Sequence, residues 1–237
     1  MRYLMELSYD GSKFYGFQRQ NNLRSVQKDI EEVLSKFFNS DIQIKGAGRT
    51  DRGVHAKGQR AHFDFDKRVN LTELKKYINS NVSDLKVKNI KIVPEDIHSR
   101  FSVKKKHYSY KITFDKSKYN SDYAYYQNNL DVKLMKESSK QFIGIHNFQN
   151  FVSGTRDNYE CIIYKILFKR GFNSLTIHFY GKSFYRYMVR NMVGALIDVG
   201  KHKVKSSRIT ELLNMEKTDK MLSTAPAKGL TLEKIYY

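Results

Sequence analysis

Two apolar rhythms alternate along this chain, and together they restrict it to a small set of architectures. Tyr3, Met5, Leu7 and Tyr9 recur at every second residue, the period of a strand with one buried face. Val26, Ile30, Val33, Leu34 and Phe37 then fall on one helical stripe behind Ser25, whose hydroxyl is suited to cap a first turn. The pattern predicts a strand over 2–9, a turn at Asp10-Gly11-Ser12, a helix from Ser25 to Phe38 and a short strand over 42–45. Ala61, Phe63 and Phe65 alternate on a further strand, and a helix over 71–80 and a strand over 87–93 close the set.

The second half repeats this grammar loosely. Tyr108, Tyr110, Ile112 and Phe114 share a face over 107–114, a helix is expected over 131–143, and strands over 161–168 and 175–180 are joined near Gly171. Residues 184–199 read as a long helix with Gly200 just past its end, where a left-handed residue is wanted. A short helix over 207–215 and a strand over 230–235 complete the chain. Strands interleaved with helices, without continuous apolar runs, indicate an α+β fold: mostly antiparallel sheet with helices packed on it. A soft boundary near residues 95–105 divides it into an N-terminal half, 1–100, and a C-terminal half, 101–237. No linker rich in proline, glycine or serine marks that boundary.

Charge bounds the partner. Lys and Arg number 43 against 24 Asp and Glu, a net charge of +19, and such a field draws polyanions. Nucleic acid is the expected partner. The single cysteine, Cys161, excludes an intramolecular disulfide or a multi-thiolate metal centre and fits a reducing cytosol. No apolar run approaches the roughly 20 residues that span a bilayer, and the first residues lack the pattern of a secretory signal. The expectation is a soluble, cytoplasmic protein with no membrane association.

One stretch concentrates unusual chemistry. In GAGRTDRGVHAKGQ, residues 46–59, glycines surround a single carboxylate, Asp51, between Arg49 and Arg52. The glycine spacing matches neither dinucleotide nor nucleoside-triphosphate loops. His55 and His62, seven residues apart without thiolates nearby, make a weak metal site and read as surface or hydrogen-bonded histidines. From spacing alone, a plain loop in which Asp51 caps a turn stands level with a functional reading. Lys104–Lys106 reads as a charge run open to solvent.

GRTDRGVHA resembles the active-site signature of the TruA-type tRNA pseudouridine synthase family. So do YDGSKFYGFQRQ (9–20), SRFSVKKKHYSYKI (99–112), YRYMVRNMVGALIDVG (185–200) and APAKGLTL (225–232), in the family's order and across nearly the whole chain. Departures are modest: Phe17 stands for the usual Trp, Arg52 for a small residue, Arg60 for an apolar one, and Asn147 for Asp in GIHNF.

The resemblance implies two topologically related α/β halves around a central antiparallel sheet, with a catalytic cleft between them. It implies a homodimeric isomerase that needs no metal or nucleotide cofactor and acts on uridines 38–40 of the tRNA anticodon stem-loop. Another tRNA position, ribosomal RNA, or a non-catalytic RNA-binding module on the same scaffold are the alternatives. Asp51 is implied as the essential carboxylate and Arg190 as the guanidinium that keeps it ionised. Tyr108 is the substrate-facing aromatic, with Tyr110 packing behind it, Leu230 is an apolar wall, and Arg49 replaces the extruded base or holds a phosphate. Lys13, Gln18, Arg19, Arg52 and Arg186 are implied backbone contacts to RNA, with the basic stretch 182–208.

Overall fold

The computed structural model describes residues 1–215 and 223–237. By compactness they form two units: Met1–Lys104 together with Thr231–Tyr237, and Lys105–Leu230.

In the first unit, β1 (Arg2–Tyr9) takes the place its alternation predicts, with Tyr3, Met5 and Leu7 fully buried on one face. It pairs antiparallel with β3 (His55–Asp64) and with β4 (Leu85–Val93). Tyr3 and Phe63 stack across the β1–β3 pair at 5.0 Å. Two helices cover this face. The first, α1 (Val26–Phe38), is capped by Ser25, whose Oγ accepts the Lys28 N–H, and it ends at left-handed Asn39. The second, α2 (Leu71–Asn81), is capped by Asn70, whose Oδ1 accepts the Thr72 and Glu73 N–H groups. Phe37 meets Tyr77 between the helices, and Phe38 reaches Phe63 in the sheet.

Two elements of this unit differ from expectation. The strand anticipated at 42–45 is instead β2 (Lys45–Gly46), paired with His62 and Ala61 of β3. Ile42 and Ile44 are buried, but the Ile44 N–H donates to the Glu31 carboxylate rather than to a neighbouring strand. By its place in sequence the terminal strand, β10 (Leu230–Tyr236), falls in the second half. From Thr231 it belongs to the first unit, running parallel to β3 through Thr231↔His55 and Leu232↔Ala56.

In the second unit, β5 (Lys105–Thr113) pairs antiparallel with β9 (Ser174–Gly181), β9 with β8 (Glu160–Gly171), and β8 with the short β7 (Gly144–Asn147). The short β6 (Tyr125–Tyr126) runs parallel to β5. A helix, α3 (Val132–Ser139), capped by Asp131, lies between β5 and β8 in sequence, and α4 (Met188–Gly200) and α5 (Ser207–Leu213) follow β9. In the first unit the first long strand, β1, lies between β3 and β4, whereas in the second the last long strand, β9, lies between β5 and β8. The fold is α+β with mostly antiparallel sheet, as the periodicity indicates.

Nearly all of α4 is buried, as its largely apolar sequence requires. It begins four residues later than its periodicity suggests, because Tyr187 has φ +65° and a left-handed residue cannot continue a right-handed helix. Gly200 also differs from expectation: it lies inside the last turn without a positive φ, and the left-handed residue is His202. A Cβ at Gly200 would stand 2.6 Å from Met135 Cγ of α3, so the close helix approach, not a cap, is what suits glycine there. Gly194 is tighter still, because a Cβ would fall 1.4 Å from the Ser223 carbonyl oxygen. Lys106, read as part of a solvated run, is buried.

These two glycines separate in stability measurements. Gly200→Ala presses on the flexible Met135 side chain, with the Asp131 carbonyl oxygen at ordinary contact distance, and gains helix propensity, so urea unfolding should change by less than about 1 kcal/mol. Gly194→Ala forces a main-chain segment away and should lose about 2 kcal/mol or more.

Candidate active site

The Asp51 loop joins β2 to β3 and has no regular ladder of its own. Its shape comes from what grips it. The Thr50 hydroxyl shares a buried hydrogen bond of 2.8 Å with the Tyr9 hydroxyl at the end of β1. Gln59, fully buried, donates from Nε2 to the Gly48 carbonyl at 3.0 Å and reaches the Tyr9 oxygen at 3.4 Å. The Thr50 carbonyl accepts the Phe17 N–H at 3.0 Å. Beyond Asp51, its carbonyl accepts the Val54 N–H at 3.1 Å and closes a turn through Gly53 at φ +81°. The turn foreseen for a plain loop is therefore present, closed by main chain.

Gly16 makes this grip possible. Its φ is +99°, and a Cβ would stand 2.9 Å from the Thr50 oxygen and 3.3 Å from the Arg52 nitrogen. Only a residue without a side chain lets segment 14–17 lie against the loop backbone. That segment is held in turn by α1, whose Val26 and Gln27 N–H groups donate to the Gly16 and Phe17 carbonyls. The Phe17 ring packs on Gly46, so a phenylalanine serves at this buried position. The 9–20 and 46–59 stretches are thus one construction.

Asp51 is half-buried, and Arg49, Arg52, Lys13 and Gln18 are exposed. Arg52 stacks its guanidinium over Tyr15 at 4.3 Å, tying the loop to the first segment. Arg19, expected among the RNA contacts, has its guanidinium 3.0 Å from the buried Glu31 carboxylate. Arg60, where an apolar residue is usual, is paired across the β1–β3 ladder with Glu6 at 2.7 Å. His55 and His62 are not on the surface but buried and hydrogen-bonded, the second of the two expected settings: the Gly11 N–H donates to His55 Nδ1 and the Ser99 N–H to His62 Nδ1. Among the described residues no group of three or more His, Cys, Asp or Glu side chains converges as a metal site.

The second unit places Arg190 in the first turn of α4. Its Nε donates to the Ala225 carbonyl at 2.8 Å while its own carbonyl accepts the Ala225 N–H at 3.1 Å. Asn191 accepts from the Thr224 hydroxyl, and Asp198 accepts both the N–H and hydroxyl of Ser223. Residues 190, 191, 194 and 198 are thus a seat for the strap 223–226. Tyr110, fully buried, donates to the Pro226 carbonyl at 2.8 Å, and its pKa is driven up by burial. Tyr110 therefore packs. Tyr108, on the same face, is buried to 8 % exposure with Phe184 against it edge-on. Leu230 follows the strap after a single tight turn, Ala227–Gly229, and is also buried. Arg186 is exposed.

The sequence profile described as tRNA pseudouridine synthase matches residues 7–102 and 139–237. The chain belongs to this family. A tRNA pseudouridine synthase A from Thermodesulfovibrio yellowstonii is 38 % identical over 98 % of both chains. The Dictyoglomus thermophilum protein of that name is 39 % identical, again over 98 % of each, and the Listeria monocytogenes serotype 4a protein is 36 % identical over 100 % of this chain and 99 % of its own. A chain in the solved Cbf5–Nop10–Gar1 complex is similar over 83 % of this chain and 54 % of its own, at 10 % identity and a TM-score of 0.34. As a pseudouridine synthase the protein is an isomerase. Both matched segments carry candidate residues, Asp51 in the first and Arg190 in the second, while Tyr108 lies between them. No helix among the described residues is long and apolar enough to cross a membrane.

Three supporting residues escaped sequence reasoning. Gln59 stands just beyond the signature and Glu31 sits on α1 beside its apolar stripe; a buried amide and a buried carboxylate look like surface residues in a sequence. By alternation Tyr9 is one more strand aromatic, whereas its hydroxyl carries the Thr50 bond.

Two measurements follow from this geometry. Tyr9→Phe retains the ring but removes the Thr50 and Gln59 bonds; stability should fall by about 1 kcal/mol, and turnover should fall while RNA affinity holds. His62 is held near pKa 4, first by burial and then by the Arg2 and His98 charges. The unfolded state therefore binds more protons between pH about 6.5 and 4, so stability present above that window is lost through it. The loss is on the order of 3 kcal/mol, and His62→Gln should flatten this limb in urea titrations at stepped pH.

Proposed function

We propose that the chain isomerises uridine to pseudouridine in tRNA, at positions 38–40 of the anticodon stem-loop, with Asp51 as the essential carboxylate. The observation that carries this reading is the placement of Asp51: one half-buried carboxylate in a loop gripped on both flanks, inside a segment spanned by the family profile. The relatives' names and the net charge of +19 support tRNA as the substrate.

In the reaction the N1–C1′ bond breaks and a C5–C1′ bond forms. C5 gives up its proton and N1 gains one, so the product is an isomer at the same oxidation level. Asp51 acts by attack at C1′, by attack on the base, or by removing the C2′ proton; each route needs an ionised carboxylate aimed at the nucleotide. Arg190 is its counter-charge, lowering the carboxyl pKa that desolvation alone would raise. The target base leaves its stack at a cost of a few kcal/mol, and Tyr108 recovers part of that by stacking, with Leu230 as an apolar wall. Arg49 takes the vacated place or holds a phosphate. Lys13, Gln18, Arg52 and Arg186, all exposed, bind phosphates without reading sequence, and Arg19 contributes the edge of a guanidinium already anchored on Glu31. We include a cytoplasmic homodimer in this reading.

The test is chemical mapping of pseudouridine in unmodified tRNA and ribosomal RNA incubated with the protein and with Asp51→Asn. The expected outcome is conversion at 38–40 by the native chain and a loss of about 10³-fold or more in the variant, with RNA affinity retained. Conversion elsewhere would replace the target. Binding without conversion by either protein would replace the enzyme with a binding module.

A further inference from the structure

Tyr187 has a backbone that its residue type disfavours. At φ +65° and ψ −8° it is left-handed, a region that glycine or asparagine adopts readily and a bulky aromatic seldom does. It occupies the position just before α4, where a side chain commonly caps the first turn, yet it makes no side-chain cap bond. The strain is thus not offset by capping. Such conformations persist where the surroundings hold them, and they cluster at functional positions.

The ring lies instead over guanidinium groups. Arg190 Cζ is 4.5 Å from its centre and Arg186 Cζ is 5.3 Å away. Arg190 stands three residues on, one turn along the same face. Its Nε is already committed to the Ala225 carbonyl at 2.8 Å. A bond at Nε fixes one edge of the guanidinium plane, and a ring against its face restrains rotation out of that plane. A lysine or a cation held only by Nε would lack this second constraint.

We propose that Tyr187 is a positioning residue for Arg190: its left-handed backbone brings the ring over the guanidinium, so that the terminal nitrogens are presented in one orientation. This rests on the reading of Arg190 as the catalytic counter-charge. In this role Tyr187 acts through Arg190 and not on the nucleotide. Its energy of strain is spent on orientation, and relieving the strain should therefore improve the fold while impairing the reaction.

The experiment compares Tyr187→Phe, Tyr187→Leu and Tyr187→Gly, alone and in an Arg190→Lys background, by thermal melting, tRNA affinity and single-turnover conversion. The expected result is that Tyr187→Gly melts no lower than the native protein and binds tRNA within about threefold, yet converts about tenfold or more slowly. Tyr187→Leu, which keeps bulk without a π face, should be equally slow, and Tyr187→Phe should retain the native rate. Arg190→Lys should be slow by itself, and adding Tyr187→Gly to it should change little, since the two act through one group. Native turnover in both Tyr187→Gly and Tyr187→Leu, or full additivity with Arg190→Lys, would overturn the role of Tyr187 while leaving Arg190 in place. A native rate in Arg190→Lys would overturn the reading of Arg190, and the proposal with it.

Discussion

The close approach of segment 14–17 to the backbone of residues 50–52 is the contact on which the shape of the Asp51 loop depends. A loop rich in glycine has many conformations to lose, and an isolated carboxylate within it would sample them all. Here the restriction is transmitted in steps. The open N–H groups at the start of α1 hold the carbonyls of Gly16 and Phe17, and Phe17 then holds the carbonyl of Thr50, the residue before Asp51. Glu31, one turn further along α1, accepts from the Ile44 N–H on the strand side of the same loop and from Gln27, while its other oxygen meets Arg19. One helix thereby fastens both approaches to the carboxylate. A buried acid of this kind is stable because each oxygen has partners, and removing any of them would leave charge without compensation.

The second unit reaches a similar end with different parts. The strap 223–226 has no ladder either, and the side chains of α4 receive it at positions 190, 191, 194 and 198. The spacing i, i+1, i+4, i+8 follows one side of a helix, with a glycine where the main chain crosses closest. Arginine at 190 makes contacts of two chemical kinds: its Nε is a structural donor to Ala225, and its planar guanidinium lies against the Tyr187 ring. A motif that reads as catalytic from sequence is therefore also a packing motif, and much of its pattern answers to the strap.

Legibility followed periodicity. The strands and helices with a clear apolar face, β1, α1, α2, β4 and β5, are readable because those faces are buried. Periodicity misled at α4, where Phe184 continues the helical spacing but the left-handed Tyr187 interrupts the backbone. It misled again at 42–45, where buried isoleucines alternate like a strand while a glutamate takes the hydrogen bond. The parallel pairing of β10 with β3 was not readable, since strand partners distant in sequence leave no local signal. At the site, resemblance identified Asp51 and Arg190 as candidates, but Gln59, Glu31 and the Tyr9 hydroxyl carry no signature until the loop is folded around them.

The distribution of charge completes the account. A net +19 suggests a uniformly cationic surface, yet the first unit commits several of its guanidiniums to its acids: Arg2 to Asp64, Arg24 to Asp29 and Asp84, Arg60 to Glu6, Arg19 to Glu31. These pairs hold strands, turns and helix ends in register, and the field they would otherwise project is largely cancelled. Arg49 and Arg52, which flank Asp51, remain exposed on the loop, and Arg52 has its plane supported by Tyr15. On the proposed reading, this arrangement solves a conflict between affinity and chemistry. A polyanion must be drawn toward a carboxylate that repels it, and cations beside that carboxylate offset the repulsion where it is greatest. Placing those cations on the loop itself keeps attraction and catalysis in one piece, so the grip of Tyr9, Gln59 and Phe17 positions both at once.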